Sequence, residues 1–194
     1  MEGKSATPLL LHVGLVASVL VVVLFIGGLK SFFVFLPALG LQNWLVVLFR
    51  INAGQLGADA LRILNPVDFA ALVLVGLTFL GLWPLLARGR KVWVSIAVAM
   101  PFIGIPLLLI THLAGRSAVM GAGLIVSVLM LGIPGFKTAA YLGIPANALL
   151  LVGDFGTTGS PMPVVAVALA AGYVLLFAWF VVIAVSLWRR MRHT

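Results

Sequence analysis

Four stretches of this chain, Leu9–Gly28, Val67–Ala87, Val92–Ile110 and Val164–Trp188, are nearly free of charge and about as long as a bilayer is thick. A helix needs ~20 apolar residues to cross the hydrocarbon core, so each stretch reads as a transmembrane span. Two shorter runs, Ala118–Ile133 and Thr138–Gly153, sit near the lower limit of that length and are bounded by Gly, Pro or charge. Counted as spans, they make six. Composition agrees: 63% of the residues are apolar and 8% charged, whereas a water-facing surface needs about a quarter of its residues charged. The fold expected is all-α, a polytopic transmembrane helical bundle forming one domain over residues 1–194.

The first span could be confused with a secretory leader. Leaders carry an apolar region of roughly 7–15 residues and a small-residue cleavage site. Leu9–Gly28 is longer, and Gly28-Leu29-Lys30-Ser31-Phe32-Phe33 has no A-x-A pattern, so an uncleaved helix is expected.

The positions of the basic residues orient the bundle. With the N-terminus inside, Lys4, Arg88, Arg90, Lys91, Lys137, Arg189, Arg190 and Arg192 fall on the cytoplasmic side, eight of the 12 Lys and Arg. Lys30, Arg50, Arg62 and Arg116 fall outside. The positive-inside bias then predicts both termini in the cytoplasm, with anionic headgroups as the partners of the basic loops. The net charge of +8 is thereby accounted for without nucleic acid. Trp83, Trp93, Tyr141 and Trp188 fall at the same inner boundary, where amphipathic rings settle.

Residues 30–66 are less regular. Pro37 and Gly40 interrupt them, and Asn43–Leu64 reads as an amphipathic helix with Gln55, Asp59 and Arg62 on one face. A helix of that kind is expected to lie in the outer interface or dip into the leaflet, ending at Asn65-Pro66.

Chemistry is sparse. The absence of Cys excludes thiolate chemistry and disulfides, and no phosphate-binding loop, zincin motif, nucleophile elbow or dinucleotide fingerprint occurs. His12 and His112 fall on opposite sides of the membrane, so they cannot share a haem or metal, and no cofactor is expected. Two candidate sites remain. Arg50, Asp59, Arg62, Asp68, His112, Arg116 and Asp154 gather near the outer face, where they form either a polar vestibule or charges tying helix ends together. Pro145 and Asn147 interrupt the fifth span, as in the broken helices of transporters or as an interhelical hydrogen-bond clasp. Small residues four apart, Ala118/Ala122, Ala139/Gly143 and Ala166/Ala170, permit close helix approach within the chain or with a second copy.

The segment Phe136-Lys137-Thr138-Ala139-Ala140-Tyr141-Leu142-Gly143-Ile144, with Gly115-Arg116-Ser117, Gly121 and Leu151-Val152-Gly153-Asp154-Phe155, resembles a group of small bacterial multi-pass membrane proteins of unknown function. Aligned on Lys137 and Tyr141, this chain has Ala139 where that group has Thr, and Phe136 lies one place nearer the Lys. The resemblance implies a six-helix inner-membrane protein and carries no activity or ligand with it. The function expected is a non-enzymatic bundle or accessory membrane component. The alternatives are a small-molecule or ion transporter and, third, a membrane-embedded enzyme, which would need two or more of Asp59, Asp68, His112 and Asp154 in one cleft.

Overall fold

A computed structural model describes residues 3–38, 58–88, 90–110, 112–156 and 162–192. They form α1 (Gly3–Ala38), α2 (Ala58–Leu86), α3 (Lys91–Ile110), α4 (His112–Met130), α5 (Lys137–Gly156) and α6 (Met162–Arg192). No strand occurs among the described residues. Helices satisfy every backbone group internally, which a chain this apolar requires once it leaves water. Four helices contain segments long and apolar enough to cross a membrane: Pro8–Gly27, Phe69–Leu86, Lys137–Phe155 and Pro163–Arg192. Lys91–Leu107 and Ala114–Met130 are shorter apolar helices.

Each helix packs on its neighbours in sequence, and α6 returns to α1, closing a ring of six. Consecutive helices are antiparallel. Gly14 of α1 meets Gly81 of α2 backbone to backbone, Gly76 of α2 lies under the Phe102 ring of α3, and Gly104 of α3 faces the Gly115 carbonyl of α4. Glycine is needed at the α1–α2 crossing in particular, because a Cβ on either residue would enter the other's main chain. The α4–α5 turn closes on Gly135 at φ 85°, a left-handed backbone that favours glycine. Ser186 Oγ of α6 donates to the Gly135 carbonyl at 3.4 Å and holds that turn against the last helix.

The distribution of polarity is the reverse of a water-soluble bundle. Val92, Trp93, Tyr141, Val152, Val164, Val167 and Val174 are exposed, while Ser18, Thr78, Arg116, Ser127, Asn147 and Asp154 are buried. An outer surface of this apolarity is matched by lipid rather than water, and the chain is a membrane protein. Two of its buried hydroxyls bond back to their own helices: Ser18 Oγ to Leu15 O at 2.8 Å, Thr78 Oγ1 to Leu74 O at 2.9 Å.

Several boundaries differ from the sequence expectation. α1 runs on through Phe32–Pro37 to Ala38, and α2 starts at Ala58 and continues across Asn65-Pro66 instead of breaking there. Inside a helical ring, neighbouring helices and side chains can meet the backbone groups that a proline releases, so the break is not obligatory. The remainder of the expected interfacial helix, residues 39–57, lies outside the described residues. The loop expected around Arg116 does not form, because α4 starts at His112 and takes Arg116 into its second turn. α5 likewise extends through Asp154 to Gly156.

Candidate functional site

Four of the six buried polar residues, Arg116, Ser127, Asn147 and Asp154, lie on two matched stripes. On α4, Arg116, Met120, Gly123 and Ser127 recur at helical spacing along one face; on α5, so do Gly143, Asn147, Leu150 and Asp154. The two helices run antiparallel, and the stripes meet in register: Ser127 with Gly143 and Gly123 with Asn147, with the Arg116 charge acting on the Asp154 carboxyl further along.

At one end of this seam Ser127 Oγ donates to the Gly123 carbonyl at 2.7 Å while its hydroxyl rests on Gly143. Trp179 of α6 also reaches Gly143, and its buried Nε1 has no hydrogen-bond acceptor among the described residues. Its ring packs on Phe79 of α2, centroids 6.0 Å apart, and on Phe180 at 5.0 Å. The indole thus brings α2, α5 and α6 together at the core. One turn further along α5, Asn147 Nδ2 donates to the Gly143 carbonyl at 2.7 Å, and its Oδ1 lies against Gly123. Pro145 sits between these groups without breaking α5. Asn147 occupies a packed seam, 1% exposed, where its amide is spent on its own helix.

At the other end Arg116 and Asp154 are buried together, 9% and 1% exposed. Arg116 is the cation whose charge acts on the Asp154 carboxyl. Its guanidinium also lies 5.8 Å from the centre of the Tyr173 ring on α6, a cation–π distance. Tyr173 in turn packs on Phe25 of α1, centroids 6.3 Å apart. One arginine therefore connects α4 to α6, and through Tyr173 to α1. Two ionisable groups under lipid are expensive to keep apart and are tolerated when they face each other inside a bundle.

Of the outer residues singled out from the sequence, the structure brings together Arg116 and Asp154. Asp59, Arg62 and Asp68 fall on the first turns of α2, and His112 opens α4; their side chains, and the whole of Arg50, lie outside the described residues. His12 is exposed on α1, where its Nδ1–H donates to the Pro8 carbonyl at 2.7 Å. Among the described residues no three His, Cys, Asp or Glu side chains gather as a metal site would require. Tyr173, Trp179, Gly123 and Ser127 did not stand out in the sequence. The signal was present in the spacing: Arg116 to Gly123 and Asn147 to Asp154 are both seven apart, Gly123 to Ser127 and Gly143 to Asn147 both four. Equal spacings in reverse order are what an antiparallel pair needs for polar groups to face glycines or opposite charges.

A different feature marks the α1–α6 seam. There a groove of about 420 Å³ is open to the outside and lined by Leu15, Val16, Val19 and Leu20 of α1 and Ala184, Val185 and Trp188 of α6. Below it, the Arg192 guanidinium stacks 3.7 Å from the centre of the Trp188 ring.

The chain matches no protein-family model, and no curated protein or solved structure is detectably similar to it.

Proposed function

We propose that this chain is a non-enzymatic multi-pass component of a bacterial inner membrane, an accessory bundle with both termini in the cytoplasm. The observation that carries this reading is how the α4–α5 seam uses its polar groups. Ser127 and Asn147 bond to carbonyls of their own helices and lie against glycines, and Arg116 faces Asp154 and Tyr173. These groups are used up inside a packed seam, whereas a reaction centre presents its polar groups to a cleft. The orientation is supported by charge, since Arg88, Arg90, Lys91, Lys137, Arg189, Arg190 and Arg192 fall at the same end of the ring. The likeness of the Phe136–Ile144 segment to the small bacterial membrane proteins described above supports the same placement.

Because the chain has no Cys, single cysteines report topology without background. A cysteine replacing Gly89 should be shielded from a membrane-impermeant maleimide in intact cells, and one replacing Gly159 should be labelled. Labelling at Gly89 from outside would overturn the orientation. Mild-detergent purification followed by crosslinking tests the accessory role, which requires a stoichiometric protein partner or a second copy.

A transporter is the second reading, favoured by the placement of Arg116 and Asp154 within the bundle. The double variant R116M/D154M separates the two. An accessory bundle should insert and keep its partners when apolar chains replace the pair; a transporter should lose its cellular phenotype while remaining folded.

A further inference from the structure

We propose that the α1–α6 groove is a binding site for one anionic phospholipid, an acyl chain lying along the groove and the phosphate held at its basic mouth. The groove walls are hydrocarbon from end to end. On α6 those walls continue helically into charge: Val185 is followed one turn later by Arg189, and Ala184 by Trp188 and then Arg192. Both arginines are exposed, and Arg192 is already oriented by its stack on the Trp188 ring at 3.7 Å. On α1, which runs the other way, Val16 is preceded one turn earlier by His12, exposed at the same mouth. An apolar channel that turns basic within one helical turn has the polarity sequence of an anionic lipid, tail first and headgroup last. Trp188, 44% exposed, stands at the junction, the depth at which an indole prefers to lie in a bilayer.

A second copy of the chain fits the groove less well. Two copies in one membrane share their orientation, so a twofold contact along α1–α6 would set Arg189, Arg190 and Arg192 of each beside those of the other. Repulsion between these like charges opposes that contact, whereas the lipid phosphate neutralises them.

The leaflet rests on the cytoplasmic orientation proposed above. The lipid preference does not, because it is read in detergent, so the two readings fail independently. Full-length protein is equilibrated with a phosphatidylglycerol and, separately, with a phosphatidylcholine of the same acyl chains, and bound lipid is counted by native mass spectrometry. Two arginines at the mouth predict roughly a thirtyfold preference for the anionic lipid. R189Q/R192Q should bring the two lipids to near parity. Val16→Trp, which fills the groove from an exposed position, should abolish the bound equivalent while circular dichroism is unchanged; Val19→Trp serves the same purpose should the first variant not insert. Equal uptake of both lipids by the unaltered protein would overturn the proposal. Anionic uptake that survives the groove-filling variants would assign the lipid to the basic end alone and overturn the groove. A dimer free of lipid that dissociates on Val16→Trp would give the groove to a second copy.

Discussion

The α4–α5 seam and the α1–α6 seam join neighbouring helices of the same ring, yet they are built on opposite principles. In the first, glycines receive polar side chains of the facing helix, Asn147 on Gly123 and Ser127 on Gly143, and both side chains also bond a carbonyl. In the second, branched aliphatic side chains leave an open apolar groove, and the polar groups are displaced to its mouth. Helices in lipid gain little from hiding hydrocarbon, because the acyl chains are as apolar as leucine; close packing and interhelical polar contacts hold them together. The first seam uses close packing, with side chains seated on Gly123 and Gly143. The second uses neither along its groove, and so remains available to a lipid.

That contrast can be broken most forcefully at the Arg116–Asp154 pair. Arg116→Met or Asp154→Leu alone leaves the other charge buried and should cost about 3–5 kcal/mol, read as a fall in the unfolding midpoint in detergent. Combining the two should recover most of the loss, since no charge is then stranded. A double variant as unstable as the singles would mean that the pair does more than neutralise itself. Next in size is Gly143→Val, which drives a branched side chain into Ser127 and Trp179 and should cost about 1–3 kcal/mol by overpacking. A neutral result there would show that the seam is looser than its register implies. Smallest is Val16→Ala in the groove, where the side chain is 56% exposed; a change within about 0.5 kcal/mol is expected. A larger loss in lipid-free detergent would place a packing partner on α1.

Much of the fold was legible in the chain because lipid imposes a length rule. The apolar runs at Leu9–Gly28 and Val164–Trp188 lie within α1 and α6, and the short runs at Ala118–Ile133 and Thr138–Gly153 became α4 and α5. Helix ends were harder to read. Asn65-Pro66 reads as a stop by local chemistry, and α2 passes through it, since a stop signal written for water weakens where neighbouring helices supply the missing partners. Arg116 reads as a loop charge because charge ordinarily lies outside the membrane; Asp154, 38 positions away in sequence, makes its burial tolerable. Asn147 neither breaks α5 nor hydrogen-bonds across the seam: its amide bonds the Gly143 carbonyl of its own helix while its side chain rests on Gly123.

The solvent, the helical class and the asymmetry of charge could be read from the chain, because each follows from composition summed over a span. Which polar residues meet is a matter of packing. Partnership depends on the relative shift and rotation of two helices, and hydrophobicity is indifferent to a rotation that exchanges one apolar face for another. The register set by Gly123, Gly143 and the Arg116–Asp154 pair removes that freedom. It is why Tyr173 and Trp179, two aromatics among the many apolar residues of α6, became the points where the bundle is joined across its centre.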